Sequence, residues 1–196
     1  MARRRLATDQ TRDRIIAAAR ELLSNPRGIS AFTIEAVAEQ ANVARMTVYY
    51  QFESKRGLLE ALFEDVTRRG DLARLKDAFR EHDPHDALQE FVFRLVYFWS
   101  SDRLIIRRLR SLGNLDPEIE AGLRARDQRR RHGLRLVVGR IFKESDRTPD
   151  KLEATTDIPH TLMSFEVYDH LAGNDCSAEA VAATVWRLVR RIVDEN

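Results

Sequence analysis

Residues 43–52, VARMTVYYQF, carry polar and aromatic side chains whose chemistry suits a base edge or a phosphate. A short helix can bury only one face, and Val48 and Phe52, four residues apart, are the apolar pair for that face. Five side chains are then predicted to face outward: Arg45, Met46, Thr47, Tyr49 and Tyr50. An arginine can donate two parallel hydrogen bonds to O6 and N7 of guanine. The alternative is that one or both tyrosine rings complete a small core.

The residues on either side of this segment predict the helices and the turn that position it. Thr33 can cap a short helix, IEAVAEQA, and Asn42 can make the tight turn after it because asparagine tolerates a positive φ. A third helix is expected from Arg45 to about Gln51, and Ser54 can cap a fourth that begins KRGLLEALFEDV. Short helices joined by so tight a turn are typical of a helix-turn-helix module.

The rest of the sequence predicts further helices and no strands. Asp-Pro and Thr-Pro pairs at 83, 116 and 148 open three of them. The helix over 148–173 contains Pro159, where we expect a kink. We predict an all-α fold of about nine helices, divided into residues 1–53 and 54–196 with the helix from Ser54 bridging the two parts.

Composition and charge exclude several classes of protein. With 33% charged and 43% hydrophobic residues, the chain is unlike disordered and membrane proteins. The single cysteine, Cys176, cannot form a disulfide within the chain, and we expect a cytoplasmic protein. Residues 1–56 carry ten Lys/Arg and six Asp/Glu, whereas the remaining residues carry 23 and 25. The positive excess therefore lies in the N-terminal part, which is compatible with a polyanion partner or with a solvated surface.

Residues 33–59, TIEAVAEQANVARMTVYYQFESKRGLL, resemble the DNA-binding region of the TetR/AcrR family of bacterial transcriptional regulators. The resemblance covers residues 8–65, and its matching positions are Ala38, Ala41, the VYYQF block, Ser54, Lys55 and Leu58. It implies an all-helical protein with an N-terminal three-helix reader. It also implies a larger C-terminal domain that dimerises and often binds a small molecule.

Two positions depart from the family pattern. Asn42 stands where the family commonly has glycine, which the backbone tolerates. Ala44 stands where a serine often caps the recognition helix. Its lack of a side-chain acceptor either leaves the first amides of that helix to a phosphate or weakens the start of the helix. Ala44 is therefore a candidate DNA contact.

The recognition helix of such a module brings its first side chains to the major groove, so Arg45 is the expected base reader. The alternative is that Arg45 only contacts phosphate. Met46 and Tyr49 are placed for thymine methyl groups, and Thr47 for base or backbone. Four positions resemble the family's phosphate contacts: Thr33, Tyr50, Gln51 and Lys55. A basic tail, Arg3 to Arg5, either follows an adjacent minor groove or is only solvated.

The C-terminal part holds one dense aromatic segment, FVFRLVYFW. Its rings are Phe91, Phe93, Tyr97, Phe98 and Trp99. One interpretation is core packing in a central helix. The other, which the family resemblance favours, is that some rings line a pocket for a small apolar or aromatic effector.

The last two predicted helices carry apolar stripes that a partner chain is expected to share. The predicted interface residues are Leu162, Phe165, Val181, Val185, Leu188, Val189 and Ile192. Two such helices from each chain would form a four-helix interface around a two-fold axis. The family resemblance favours this homodimer.

We therefore predict a sequence-specific transcriptional regulator, a repressor released from a palindromic operator by an effector. The alternative is a sequence-neutral or architectural DNA-binding protein without an effector. No nucleophile elbow, phosphate loop or dinucleotide fingerprint is present, so neither an enzyme nor a cofactor is expected. His82 and His85 lack further ligands at a diagnostic spacing for a metal. The basic run at 124–132 is either a solvated helix face or a second polyanion surface.

Overall fold

The computed structural model describes residues 2–26, 28–142 and 148–195, and the regular elements in these ranges are all helical. The ten α-helices are α1 Ala2–Ser24, α2 Ile34–Gln40, α3 Arg45–Phe52, α4 Lys55–Arg69, α5 Pro84–Ser101, α6 Arg103–Gly113, α7 Pro117–Val138, α8 Pro149–Leu162, α9 Phe165–Ala172 and α10 Ala178–Asp194. Two 3-10 segments, Gly28–Ala31 and Leu72–Arg80, precede α2 and α5. The predicted all-α class is confirmed over the described ranges, with slightly more helices than expected.

The helix predicted over 148–173 is two helices in the structure. α8 continues through Pro159, and the chain breaks after it at Met163. Ser164 then starts α9, because its hydroxyl oxygen accepts a hydrogen bond from the amide of Val167 at 3.3 Å. A proline inside a helix removes one backbone donor and crowds the preceding turn, but α8 accommodates Pro159, whereas the Ser164 cap offers a new helix start. The break therefore lies at the cap and not at the proline.

The chain divides into two compact units. Unit 1 consists of Met1–Thr67 and Leu104–Leu123, and unit 2 consists of Arg68–Arg103 and Arg124–Asn196. Each crossing from one unit to the other falls inside a helix, namely α4, α6 or α7. The predicted domain division after residue 53 stays a prediction.

The core of unit 1 is built from the facing sides of its first four helices. Residues with no exposed surface come from each of them: Ile15, Leu23, Val37, Val48, Leu58 and Leu62. Arg20 on α1 and Asp65 on α4 form an ion pair at 3.4 Å, and the Asp65 side chain is only 4% exposed. Because a buried carboxylate needs a partner, this pair ties α1 to α4.

Helix α5 is the centre of unit 2. It packs against α10 and the second 3-10 segment. Its buried residues are Ala87, Leu88, Phe91, Val92, Leu95, Val96, Phe98 and Trp99. The indole nitrogen of Trp99 donates a hydrogen bond to the carbonyl oxygen of Met163 at 2.9 Å, and the Trp99 ring lies 5.6 Å from that of Phe165. The polar end of the one buried indole is thereby satisfied.

The basic run at 124–132 takes part in contacts within unit 2. Arg131 on α7 donates to Asp157 on α8 at 2.9 Å and also pairs with Glu153. The guanidinium of Arg130 lies 4.9 Å from the centre of the Trp99 ring. These two arginines make contacts between helices, which neither a solvated helix face nor a second polyanion surface includes.

Two kinds of feature are absent from the described residues. None of their helices is both long and apolar enough to cross a membrane. Nor do three or more of their His, Cys, Asp or Glu side chains converge as metal ligands would. His85, considered above for a metal, has its Nδ1 at 3.6 Å from Oδ1 of Asp194.

Gly57 gives a test of how α3 and α4 meet. A Cβ at this position would lie 1.9 Å from the backbone oxygen of Phe52, which no rotamer change can relieve. Alanine normally stabilises an exposed helix position by up to about 1 kcal/mol relative to glycine. For Gly57→Ala we expect the reverse, a loss of roughly 3 kcal/mol in the free energy of unfolding, measured by denaturant titration.

The matched control is Gly133→Ala on α7. A Cβ there would lie 3.4 Å from the rings of Phe79 and Phe91, an ordinary contact distance. This variant should be as stable as the wild type or more so. A Gly57→Ala protein with undiminished stability would contradict the close approach of α4 to the end of α3.

Candidate nucleic-acid interface

The turn between α2 and α3 depends on Asn42. At the start of α2, Oγ1 of Thr33 accepts a hydrogen bond from the amide of Ala36 at 3.1 Å. After the helix, Asn42 has φ 51°, a left-handed conformation that asparagine adopts more readily than most residues. The amide of Val43 then donates to the carbonyl oxygen of Ala38 at 2.9 Å. The cap and the turn predicted from the sequence are both present.

Helix α3 has one buried face and one exposed face. Val48 is fully buried and Phe52 is 5% exposed, whereas Met46 is 57% and Tyr50 is 83% exposed. The Tyr50 ring therefore takes no part in the core. Among the other candidates on or beside α3, Ala44 and Arg45 are exposed, and Thr47, Tyr49 and Gln51 are half-buried. The helix presents a continuous polar and aromatic surface opposite its two anchors.

The start of α3 has no side-chain cap. Ala44 is the N-cap residue, with extended backbone, and makes no side-chain hydrogen bond. The free amides of a helix's first turn remain available to an acceptor such as a phosphate oxygen. Both consequences expected from alanine at this position, a phosphate contact or a weaker start of the helix, stay predictions.

Arg45 is held by two neighbours. Its Nε lies 2.9 Å from Oε1 of Glu35 on α2, and its Nη2 donates to the hydroxyl of Tyr49 at 3.2 Å. The guanidinium carbon is also 5.5 Å from the centre of the Tyr49 ring. The hydrogen bond to Tyr49, followed by the charge of Glu35, raises the pKa of Arg45. The role of Glu35 is not predicted from the sequence, because a contact between two helices leaves no local pattern.

The expected phosphate contacts lie in the same unit. Lys55 is exposed and is the first residue of α4. Thr33 is also exposed, with its oxygen already accepting the α2 cap bond. The backbone oxygen of Gln51 accepts a hydrogen bond from Arg12 on α1 at 2.8 Å, and the side-chain amide of Gln51 takes no part in that bond. The predicted arm at 3–5 lies outside the described side chains.

The aromatic segment of α5 contributes mainly to the core of unit 2. Phe91, Phe98 and Trp99 are at most 5% exposed, Phe93 is half-buried and Tyr97 is 38% exposed. A groove of about 400 Å³ lies elsewhere in this unit, on α10, and is lined by Trp186, Arg187, Arg190, Arg191, Asp194 and Glu195. Only Phe93 and Tyr97 of the five predicted rings have surface for a ligand.

The predicted dimer residues fall into two groups. Four are buried in the core of unit 2 and are not on a surface, which corrects the expectation that they meet a partner: Phe165, Val181, Val185 and Val189. The other three retain surface, with Leu188 at 42% exposed and Leu162 and Ile192 half-buried. Ile158 on α8, at 54% exposed, adds apolar surface near Leu162 in the sequence.

Comparisons with known proteins agree on one family. Residues 15–62 match the family described as bacterial regulatory proteins, tetR family. No curated protein matches the sequence. Among solved structures, a TetR transcription regulator from Haloarcula marismortui is 18% identical with a TM-score of 0.73, over 95% of this chain and 98% of that one.

Two further structures have the same fold. A transcriptional regulator from Rhodococcus sp. is 16% identical with a TM-score of 0.72, over 94% of this chain and 96% of that one. The TetR family regulator PfmR from Thermus thermophilus is 18% identical with a TM-score of 0.70, over 90% and 97%. The family match therefore covers the helix-turn-helix region, residues 15–62, and over nearly its whole length the chain has the fold of solved TetR family transcriptional regulators.

Proposed function

We propose that this chain is a sequence-specific DNA-binding repressor that acts by binding and not by catalysis. The observation that carries the proposal is the exposed face of α3, where Arg45, Met46 and Tyr50 stand opposite the buried Val48 and Phe52. A helix of this kind in the major groove offers donors and apolar groups to base edges. Its target would be chromosomal DNA in the bacterial cytoplasm.

The composition of this face favours sequence reading over mere charge neutralisation. A sequence-neutral binder gains affinity from unopposed Lys and Arg along the phosphates. Here the arginine at the start of α3 lies beside a carboxylate, Glu35, at 2.9 Å. Next to it stand an apolar side chain, Met46, and the two tyrosines, which gain little from phosphate alone. The architectural alternative has less support from this surface.

The division between base reading and phosphate contact gives the first test. Operator DNA would be identified by selection from random duplexes and its binding measured by fluorescence anisotropy. Arg45→Ala should weaken operator binding by roughly 5- to 150-fold per half-site and relax preference at one base pair. Lys55→Ala should weaken all sequences alike and reduce the slope of log affinity against log salt by about 1.

These two variants serve as controls for each other because both remove one positive charge from unit 1. An equal loss of specificity in both would contradict the assignment. If wild-type protein bound random and selected duplexes with similar affinity at matched salt, the architectural alternative would replace the proposed function.

We also propose a homodimer formed through α8 and α10, which would bring two copies of α3 to a palindromic operator. These helices pack on each other within unit 2. They leave apolar surface uncovered, chiefly at Ile158 and Leu188, which are 54% and 42% exposed. A single recognition helix contacts little DNA, so the recognition helix of a second chain is needed for selective binding.

Leu188→Asp tests the dimer. Because Leu188 is 42% exposed in the single chain, an aspartate should leave the fold intact but place an unpaired charge in the interface. We expect a monomer in sedimentation at micromolar concentration, and operator affinity lower by ~100-fold or more. The control is Leu115→Asp, an exposed leucine outside both helices, which should remain dimeric. A monomeric wild type, or a dimeric Leu188→Asp, would place the interface elsewhere.

A small apolar or aromatic effector is proposed to release the DNA. Phe93 and Tyr97 on α5 have rings 6.3 Å apart and retain surface, so they are the candidates to contact it. An effector acts only through different affinities for the DNA-binding and the released conformation. The helices that continue from one unit into the other, α4, α6 and α7, offer covalent routes for that coupling.

The effector is tested by screening hydrophobic and aromatic compounds for a higher melting temperature and for operator release. A compound at one hundred times its Kd should stabilise the protein by about 2.7 kcal/mol. Phe93→Ala should weaken this effect, whereas Leu115→Asp should not. If every compound that stabilises the protein leaves DNA binding unchanged, the effector is not a release signal.

A further inference from the structure

The contacts of Arg45 occupy part of its guanidinium and leave the rest open to a base. Nε lies 2.9 Å from Oε1 of Glu35 in an ion pair, and Nη2 donates a hydrogen bond to the hydroxyl of Tyr49 at 3.2 Å. A guanidinium has five N–H donors in a fixed fork. With Nε beside the carboxylate and one Nη2–H donated to Tyr49, the remaining N–H groups, on Nη1 and Nη2, are left for O6 and N7 of guanine.

Glu35 is itself well fixed. It lies in the first turn of α2, and the Thr33 cap holds that turn through a hydrogen bond of 3.1 Å to Ala36. A carboxylate in the first turn is also favoured by the helix dipole. The Glu35 side chain is 58% exposed and the Arg45 side chain is 57% exposed. Both side chains of the pair therefore lie on the exposed surface of unit 1 and contribute little to its core.

We propose that Glu35 is a positioning residue that makes Arg45 a reader of guanine; this inference rests on the proposed sequence-specific binding of DNA. Glu35 and Tyr49 hold the long arginine side chain in one orientation before DNA arrives, so less freedom is lost on binding.

Glu35→Gln tests this role, because the amide keeps the size of the side chain and removes its charge. The control is Glu39→Gln, which removes the same charge from the exposed side of the same helix. Preference at every base pair of the selected operator would be measured by competition, with affinity for random DNA and its salt slope measured alongside. Circular dichroism melting would verify that both variants are folded.

We expect Glu35→Gln to reduce guanine preference at the Arg45 base pair by ~3- to 10-fold, less than Arg45→Ala does. Random-DNA affinity and salt slope should match those of Glu39→Gln. In an Arg45→Ala background, Glu35→Gln should have no further effect at that base pair, since a positioning residue acts only through the residue that it positions. Tyr49→Phe should give a smaller change at the same base pair.

Two results would overturn this inference alone. A preference change at a second base pair that persists in Arg45→Ala would mean that Glu35 reads a cytosine amino group itself. If Glu35→Gln raised the affinity for all DNA by more than Glu39→Gln does, with a steeper salt slope, the charge of Glu35 would simply repel the phosphates of any DNA. A wild type without any base preference would instead overturn the proposed function, and this inference with it.

Discussion

The burial of Val48 and Phe52 on α3 is the constraint on which the exposed surface of unit 1 depends. An eight-residue helix is not stable by itself in water, and Ala44 gives α3 no side-chain cap. Its conformation must come from packing. Because the two anchors are four residues apart, they share one face, and the other side chains of the helix all keep part or most of their surface exposed.

The two ends of α3 reinforce this constraint. Asn42 before the helix and Glu53 after it both have positive φ, 51° and 64°, although neither is glycine. Such conformations persist only where the surrounding structure holds them. Gly57 allows the next helix to begin close to the backbone of Phe52. The short helix is therefore enclosed between two sharp turns, which limits the orientations that its outer side chains can take.

Unit 2 is organised differently, around a helix that is apolar over most of its surface. Helix α5 packs against α10 and the second 3-10 segment, and most of its rings are buried. The indole of Trp99 donates a hydrogen bond to the carbonyl oxygen of Met163, between α8 and α9. The apolar surface that this core leaves uncovered includes Tyr97, Ile158 and Leu188, and Phe93 and Leu162 in part.

The sequence by itself determined most of the helices, their caps at Thr33, Asp83 and Thr148, the turn at Asn42 and the two faces of α3, because each depends on residues within one or two turns. The tertiary structure alone decided which apolar stripe of α10 enters the core: Val181, Val185 and Val189 are buried there, whereas Leu188 is not. Helix periodicity cannot separate a core face from a partner face. Only the fold, likewise, brings Glu35 to Arg45, since that contact joins different helices.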